Sequence, residues 1–184
     1  MPDYRRWYVP GGTFFFTLAT DHRRRMLNAA LARRCLREAI ENVRTTWPFE
    51  LLAIVLLPEH LHTIWSLPPG DARYPIRWKR VKEEFTRRYL NAGGEEIPPS
   101  VSRLRHHERG IWQRRYWEHN VRDEDDLKRC VDYIHWNPKK HGHVANIRDW
   151  PWSSFHRFVA LDEYTLDWGA DDPTPGYEDP EWGE

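Results

Sequence analysis

Leu51-Leu52-Ala53-Ile54-Val55-Leu56-Leu57, then Pro58-Glu59, then His60-Leu61-His62-Thr63-Ile64-Trp65-Ser66-Leu67: two apolar runs divided by a two-residue break decide how this chain folds. Apolar runs of this length joined by so short a connection predict an antiparallel hairpin. Side chains alternate along a strand, so His60 and His62 leave the same face of the second run. That is half of a metal site or a pair of packed core histidines, and the spacing alone leaves both open.

The hairpin sits between helical segments. Upstream, Thr13-Phe14-Phe15-Phe16-Thr17-Leu18 follows the break Pro10-Gly11-Gly12 and predicts a first strand. Residues 28–45 predict a helix, with Leu31, Leu36, Ile40 and Val43 on an apolar stripe and Arg33, Arg34, Arg37 and Arg44 around the rest, ended by Pro48. Downstream, Pro68-Pro69-Gly70-Asp71 marks a loop. Residues 75–90 then predict a second helix, with Trp78, Val81, Phe85 and Tyr89 inward. Residues 91–109, punctuated by Gly, Pro and Ser, predict a loop that exposes His106-His107. Residues 111–121 predict a fourth strand. Asp123-Glu124-Asp125-Asp126 supplies an N-cap and an acidic first turn for a third long helix, expected to stop at Pro138. A short last helix is expected within 152–160. The order strand, helix, strand, strand, helix, strand is that of an α+β, ferredoxin-like (split βαβ) antiparallel sheet. Both helices are expected on one face, leaving the other available, with an added C-terminal helix that carries Tyr133.

The 184 residues, 40% of them hydrophobic, suffice for one core. They divide into a domain over 1–170 and an acidic tail, 171–184, read as disordered. No apolar run is long enough to span a bilayer and the N-terminus lacks a secretory segment, so a cytoplasmic protein is expected. Cys35 and Cys130 are read as buried thiols. The net charge of +0 hides an asymmetry. Residues 161–184 hold nine acids and no Lys or Arg, leaving 28 basic against 19 acidic residues in the first 160, a net of +9. A body so charged favours phosphate-rich partners. Candidate phosphate contacts are Arg5, Arg6, Arg77, Lys79, Arg80, Arg87, Arg114, Arg115 and Lys140. Tyr116 and Trp117, beside Arg114 and Arg115, are either core rings or platforms for unpaired bases.

On the third long helix Leu127, Cys130, Val131 and Ile134 form the packing stripe. Tyr133 and Asn137, at i,i+4, fall along one edge of it beside Asp126, and Arg129 stands one turn before Tyr133, where it could favour a phenolate or a phosphate. Two histidines and an amide oxygen leave open positions on Mg²⁺ or Mn²⁺, which can polarise a phosphoryl oxygen. A tyrosine attacking that phosphorus keeps the bond energy as phosphotyrosine, so a strand can be cut and rejoined without ATP, and the chain has no P-loop pattern. Tyr116 is a rival nucleophile, but it is expected on a strand without an amide at i+4. A metallohydrolase using water, or a non-catalytic nucleic-acid-binding protein of ferredoxin-like fold that recognises hairpin DNA, remain competing readings.

The segments Tyr4-Arg5-Arg6, Gly11-Gly12-Thr13, Leu57-Pro58-Glu59-His60-Leu61-His62 and Gly110-Ile111-Trp112-Gln113-Arg114-Arg115-Tyr116-Trp117-Glu118-His119 resemble those of REP-associated tyrosine transposases, of the HUH single-strand DNA transposase superfamily. So do Asp132-Tyr133-Ile134-His135-Trp136-Asn137-Pro138, Lys140-His141-Gly142 and Trp150-Pro151-Trp152-Ser153. The resemblance spans residues 4–168. It implies a metal-dependent endonuclease and strand transferase acting through a 5′-phosphotyrosine at Tyr133, with His60, His62 and Asn137 on Mg²⁺ or Mn²⁺. It also implies a bacterial, nucleoid-associated monomer and, as substrate, single-stranded DNA folded into REP/BIME-type palindromic hairpins. Insertion-sequence members carry Gln where this chain has Asn137.

Overall fold

A computed structural model describes residues 8–106 and 108–170. Arg5, Arg6, His107 and the acidic tail lie outside the described residues.

The chain runs β1 (Thr13–Ala19), α1 (Ala30–Thr46), β2 (Glu50–Leu56), β3 (His60–Ser66), α2 (Tyr74–Asn91), α3 (Val101–Arg105), β4 (Trp117–Asn120), α4 (Glu124–Lys140) and α5 (Phe155–Ala160), with 3-10 turns at Asp21–Arg23 and Ile147–Asp149. The strands form one antiparallel sheet in the order β2-β3-β1-β4. This is the expected α+β arrangement, with the β2–β3 hairpin at one side and β1 between β3 and β4.

Strand alternation divides the core in two. Phe14, Phe16 and Leu18 of β1, with Leu61 and Trp65 of β3, pack under α1 and α2. Trp65 is stacked between Phe49 at 3.9 Å and Trp78 at 3.8 Å. The neighbouring positions Phe15, Ala53, Val55 and Ile64 face the other way and pack with Cys130, Val131, Tyr133 and Ile134 of α4. The second face is therefore not left open as expected, because α4 lies over β2 and β3.

The free side of β2 is closed by the chain itself. Leu56 N donates to Trp152 O at 2.8 Å, Ser154 N donates to Ile54 O at 2.8 Å, and Trp150 Nε1 donates to Leu56 O at 3.0 Å. Val55 pairs with Ser153 in an isolated bridge.

Three further expectations need correction. The fourth strand is four residues long. Trp112 meets Thr20 in a single bridge and Gln113 N donates to Ala19 O, but the ammonium of Lys82 takes the Gln113 carbonyl at 2.8 Å and Glu108 draws Arg114 aside, so regular pairing resumes only at Trp117. Within the expected loop, α3 forms a turn and a half because Ser100 caps it, its side chain accepting from Arg103 N. The third long helix begins as expected on an Asp123 side chain that accepts from Asp126 N at 2.8 Å, yet runs two residues past Pro138. Proline there removes one donor near the helix end, and later donors still close, as in His141 N to Asn137 O at 3.0 Å.

Candidate active site

β3 places His60 and His62 on the α4 face of the sheet, both fully buried. Their Nε2 atoms stand 3.2 Å apart. Each ring is held from behind. Glu59 Oε1 lies 3.2 Å from His60 Nδ1, and Thr17, the cross-strand partner of His62, has its hydroxyl 2.9 Å from His62 Nδ1. A carboxylate only accepts, so His60 donates from Nδ1 to Glu59 and Nε2 is the nitrogen it turns toward His62. Two backed imidazoles converging on one point are how histidines are oriented to hold a cation.

α4 brings Tyr133 to the same place. Its side chain is 1% exposed, its ring stands edge-on to His62 at 5.3 Å and to Phe15 at 5.9 Å, and its hydroxyl accepts from Lys140 Nζ at 3.4 Å. The Lys140 ammonium also lies 5.0 Å from the ring centre. Seven residues are nearly two helical turns, so the two side chains share one face. Asn137, one turn after Tyr133, is fully buried, and His141, which caps α4, has its ring 5.5 Å from that of His60. His60 and His62 thus offer two imidazole nitrogens at one point, and the buried amide of Asn137 follows Tyr133 by one turn of α4; side chains of these types suit a divalent ion that keeps open positions.

The cation next to the tyrosine is Lys140, not Arg129. Arg129 turns to Asp126 at 3.4 Å, and Asp126 also takes Arg122 at 3.0 Å and His119 at 2.9 Å. Burial works against this carboxylate, but the hydrogen bonds from Arg122 and His119 outweigh it and hold Asp126 well below the usual carboxylate range. His119, Asp126 and Cys130 bring potential ligand atoms within 4.8 Å of one another. The arginines already satisfy Asp126, and burial pushes the Cys130 thiol up, so it stays protonated. This cluster is an ion-paired lock between β4 and the start of α4.

The remaining expected residues separate by exposure. Arg77 is corrected outright: it is 1% exposed, its guanidinium bridging Asp71 at 3.0 Å and the Pro48 carbonyl at 2.8 Å, so it is a structural tie that no phosphate reaches. Lys79 and Arg80 share Glu83, Arg87 pairs with Glu84 at 2.7 Å, and Arg114 pairs with Glu108, all on the surface. Arg115 is exposed, as is His106. Tyr116 faces Phe16 and Trp78, on the far side of the sheet from the histidines, which removes it as a rival nucleophile. Trp117 packs edge-on to Phe15 at 5.7 Å. His135 is buried against Ser154 Oγ at 2.8 Å, and burial depresses it to about 3, so it packs as a neutral ring.

Thr17 and Glu59 were not singled out from sequence. Thr17 had a signal, a hydroxyl inside an otherwise apolar strand, and Glu59 adjoins the histidine pair; neither signal says which nitrogen it touches.

No helix among the described residues is long and apolar enough to cross a membrane. Residues 11–137 match the family model described as "Transposase IS200 like". A REP-associated tyrosine transposase from Escherichia coli (strain K12) is 43% identical over 171 residues, 93% of each chain. A putative REP-associated tyrosine transposase from Haemophilus influenzae is 41% identical, covering 92% of this chain and 94% of that one. A solved structure of a REP-associated tyrosine transposase bound to a REP hairpin aligns with TM-score 0.78 and 39% identity over 100% of this chain and 98% of the other.

Proposed function

This chain belongs to the IS200-like transposases, among the REP-associated tyrosine transposases of the HUH superfamily, and from that premise we propose that Tyr133 cuts single-stranded DNA beside REP-type hairpins. The observation that carries the proposal is the Tyr133 ring against His62, with Lys140 at its hydroxyl.

In this reading Tyr133 Oη attacks a phosphodiester phosphorus. The Oη–P bond forms, the P–O3′ bond breaks, the phenolic proton leaves to solvent, and the departing O3′ takes one up. The products are a 5′-phosphotyrosine and a free 3′-hydroxyl. Attack of a 3′-hydroxyl on that linkage reverses every bond change, so rejoining needs no nucleotide. The Lys140 ammonium offsets charge on Oη as it develops and again when phenolate departs. His60, His62 and Asn137 are the residues to hold Mg²⁺ or Mn²⁺, which when bound polarises a non-bridging phosphoryl oxygen. Glu59 and Thr17 keep the two imidazoles aimed. Because Tyr133 and His62 meet within one chain, a site completed in cis, and so a monomer, is supported.

Incubation of labelled hairpin DNA with Mn²⁺ or Mg²⁺ is expected to give a protein-linked strand on a denaturing gel with the wild type and none with Tyr133→Phe. An adduct with Tyr133→Phe overturns the nucleophile. Binding without any adduct across a hairpin series overturns the enzymatic mechanism proposed here in favour of a binding role. Multiple-turnover cleavage without linkage points to an activated water.

A further inference from the structure

Between Asp21 and Glu38 the chain carries six arginines and no acidic residue. On α2, Lys79 and Arg80 share Glu83 and Arg87 holds Glu84, whereas no carboxylate among the described residues pairs with Arg23, Arg25 or Arg33. Arg23 and Arg25 are exposed and Arg33 is half-buried. Like charges gathered without counterions repel one another, so such a cluster weakens the fold and attracts phosphate.

The cluster borders the histidine pair. The loop after β1 is pinned at both ends to the β2–β3 turn: Thr20 N and Thr20 Oγ1 each donate to Glu59 O at 2.9 Å, and Leu27 N donates to Pro58 O at 2.8 Å. The carboxylate of that same Glu59 backs His60. From His60 a chain of rings leads outward: His141 at 5.5 Å, His143 at 6.1 Å from His141, Trp150 at 5.3 Å from His143, and Trp152 at 4.7 Å from Trp150. Arg33 ends it, its guanidinium carbon 4.1 Å from the centre of the Trp152 ring. Burial lowers the His143 pKa most, His141 next, and the charges of Arg25 and Glu59 act on the same ring with opposite sign, so Arg25 stands beside this chain of rings too.

Stacking on Trp152 and a hydrogen bond to the Asn28 carbonyl fix the guanidinium of Arg33, and a guanidinium so fixed binds phosphate with little further ordering. Arg23 is held differently. His22 and Arg23 both have left-handed backbones, φ 52° and 49°, a conformation that glycine adopts freely and other residues rarely do. A cation kept where glycine would be relaxed argues that its charge is used.

We propose that Arg23, Arg25 and Arg33 hold the backbone of the unpaired DNA on the side of the scissile phosphate away from the hairpin, and lead it past the Pro58-Glu59 turn to Tyr133. The assignment rests on the hairpin-cutting reading above. It adds a strand-binding surface that grips phosphates and reads no sequence.

The test takes a labelled hairpin DNA in two versions, whose unpaired strand beyond the cut runs about eight nucleotides or about two, and follows the protein-linked adduct over a salt series. The proteins are the wild type, Arg25→Gln with Arg33→Gln, Arg23→Gly, and a charge-matched control, Lys128→Gln with Arg148→Gln, on exposed positions elsewhere. A circular dichroism melt shows that each is folded. With the long flank, the Arg25 and Arg33 double variant is expected to need roughly 10-fold more DNA for half-maximal adduct formation at an unchanged maximal rate, with the salt slope shallower by about 1.4. With the short flank it should match the wild type. Arg23→Gly should weaken use of the long flank while its melting temperature stays level or rises, and a fall in that temperature removes Arg23 from the surface. No loss on the long flank, the same loss in the control, or an equal loss on both flanks overturns the assignment. A long flank annealed to its complement and used equally well overturns the single strand as occupant. If the wild type forms no adduct on any hairpin, the cutting reading falls and this assignment with it, whereas adducts that ignore the arginines sink the assignment alone.

Discussion

The two faces of the sheet are built from alternate residues of the same strands and do opposite work. Under α1 and α2, Phe14, Phe16, Leu61 and Trp65 make an apolar, aromatic layer. Under α4, one residue along in each case, Thr17, His60 and His62 stand together and the His62 ring meets Tyr133. Burying polar groups costs stability unless they are paired, and the histidines meet that condition through Thr17 and Glu59. The tightly packed face allows the other to give up packing for chemistry: a strand fixed from one side can present reactive groups on the other without drifting in register.

That division is breakable from either side. The largest effect is expected from His62→Ala, which should lower adduct formation by at least about 10³-fold while the melting temperature of metal-free protein moves by only a few degrees; thermal melts beside the gel assay check both. The mirror experiment is Phe16→Ala. It should cost about 3–5 kcal/mol in urea unfolding and leave Mn²⁺ affinity of the folded fraction unchanged by calorimetry. A pH series sharpens the comparison further. His135 titrates near 3 when folded and near 6.5 when unfolded, so between those values the unfolded chain binds the extra proton. Stability is then full above about pH 6.5 and falls as the solution is acidified toward 3, and His135→Gln should flatten that part of the unfolding profile. The smallest effect is expected from Thr17→Val, about 10- to 100-fold in Mn²⁺ affinity with the fold intact, because only the backing of His62 is lost.

Much of this was legible in the chain. The hairpin, both covering helices and the Asp123 cap follow from local patterns, and the His-x-His spacing and the third long helix brought forward His60, His62 and Tyr133, whose rings the fold gathers. What was hidden depends on contacts distant in sequence. The length of β4 is set by Lys82 reaching a carbonyl 31 residues away. Arg77 is adjacent to the buried Trp78, yet only the fold reveals Asp71 and Pro48 waiting for its guanidinium. Arg129 and Lys140 stand on either side of Tyr133 in sequence, and helical spacing alone does not decide which cation reaches the hydroxyl; the claim of Asp126 on Arg129 does.

The covering of β2 by residues 152–154 has a consequence for how copies of this chain can come together. An uncovered edge strand is a template for another chain, and sheet proteins commonly dimerise or aggregate by adding strands there. Here the backbone of Ile54 and Leu56 is already engaged by Trp152 and Ser154, and the guanidinium of Arg157 reaches the carbonyls of Leu51 and Leu52. Joining two sheets through β2 would first require peeling away the chain's own C-terminal segment. The self-paired edge acts as a guard against strand exchange through β2, so two copies of this chain do not meet along that side of the sheet.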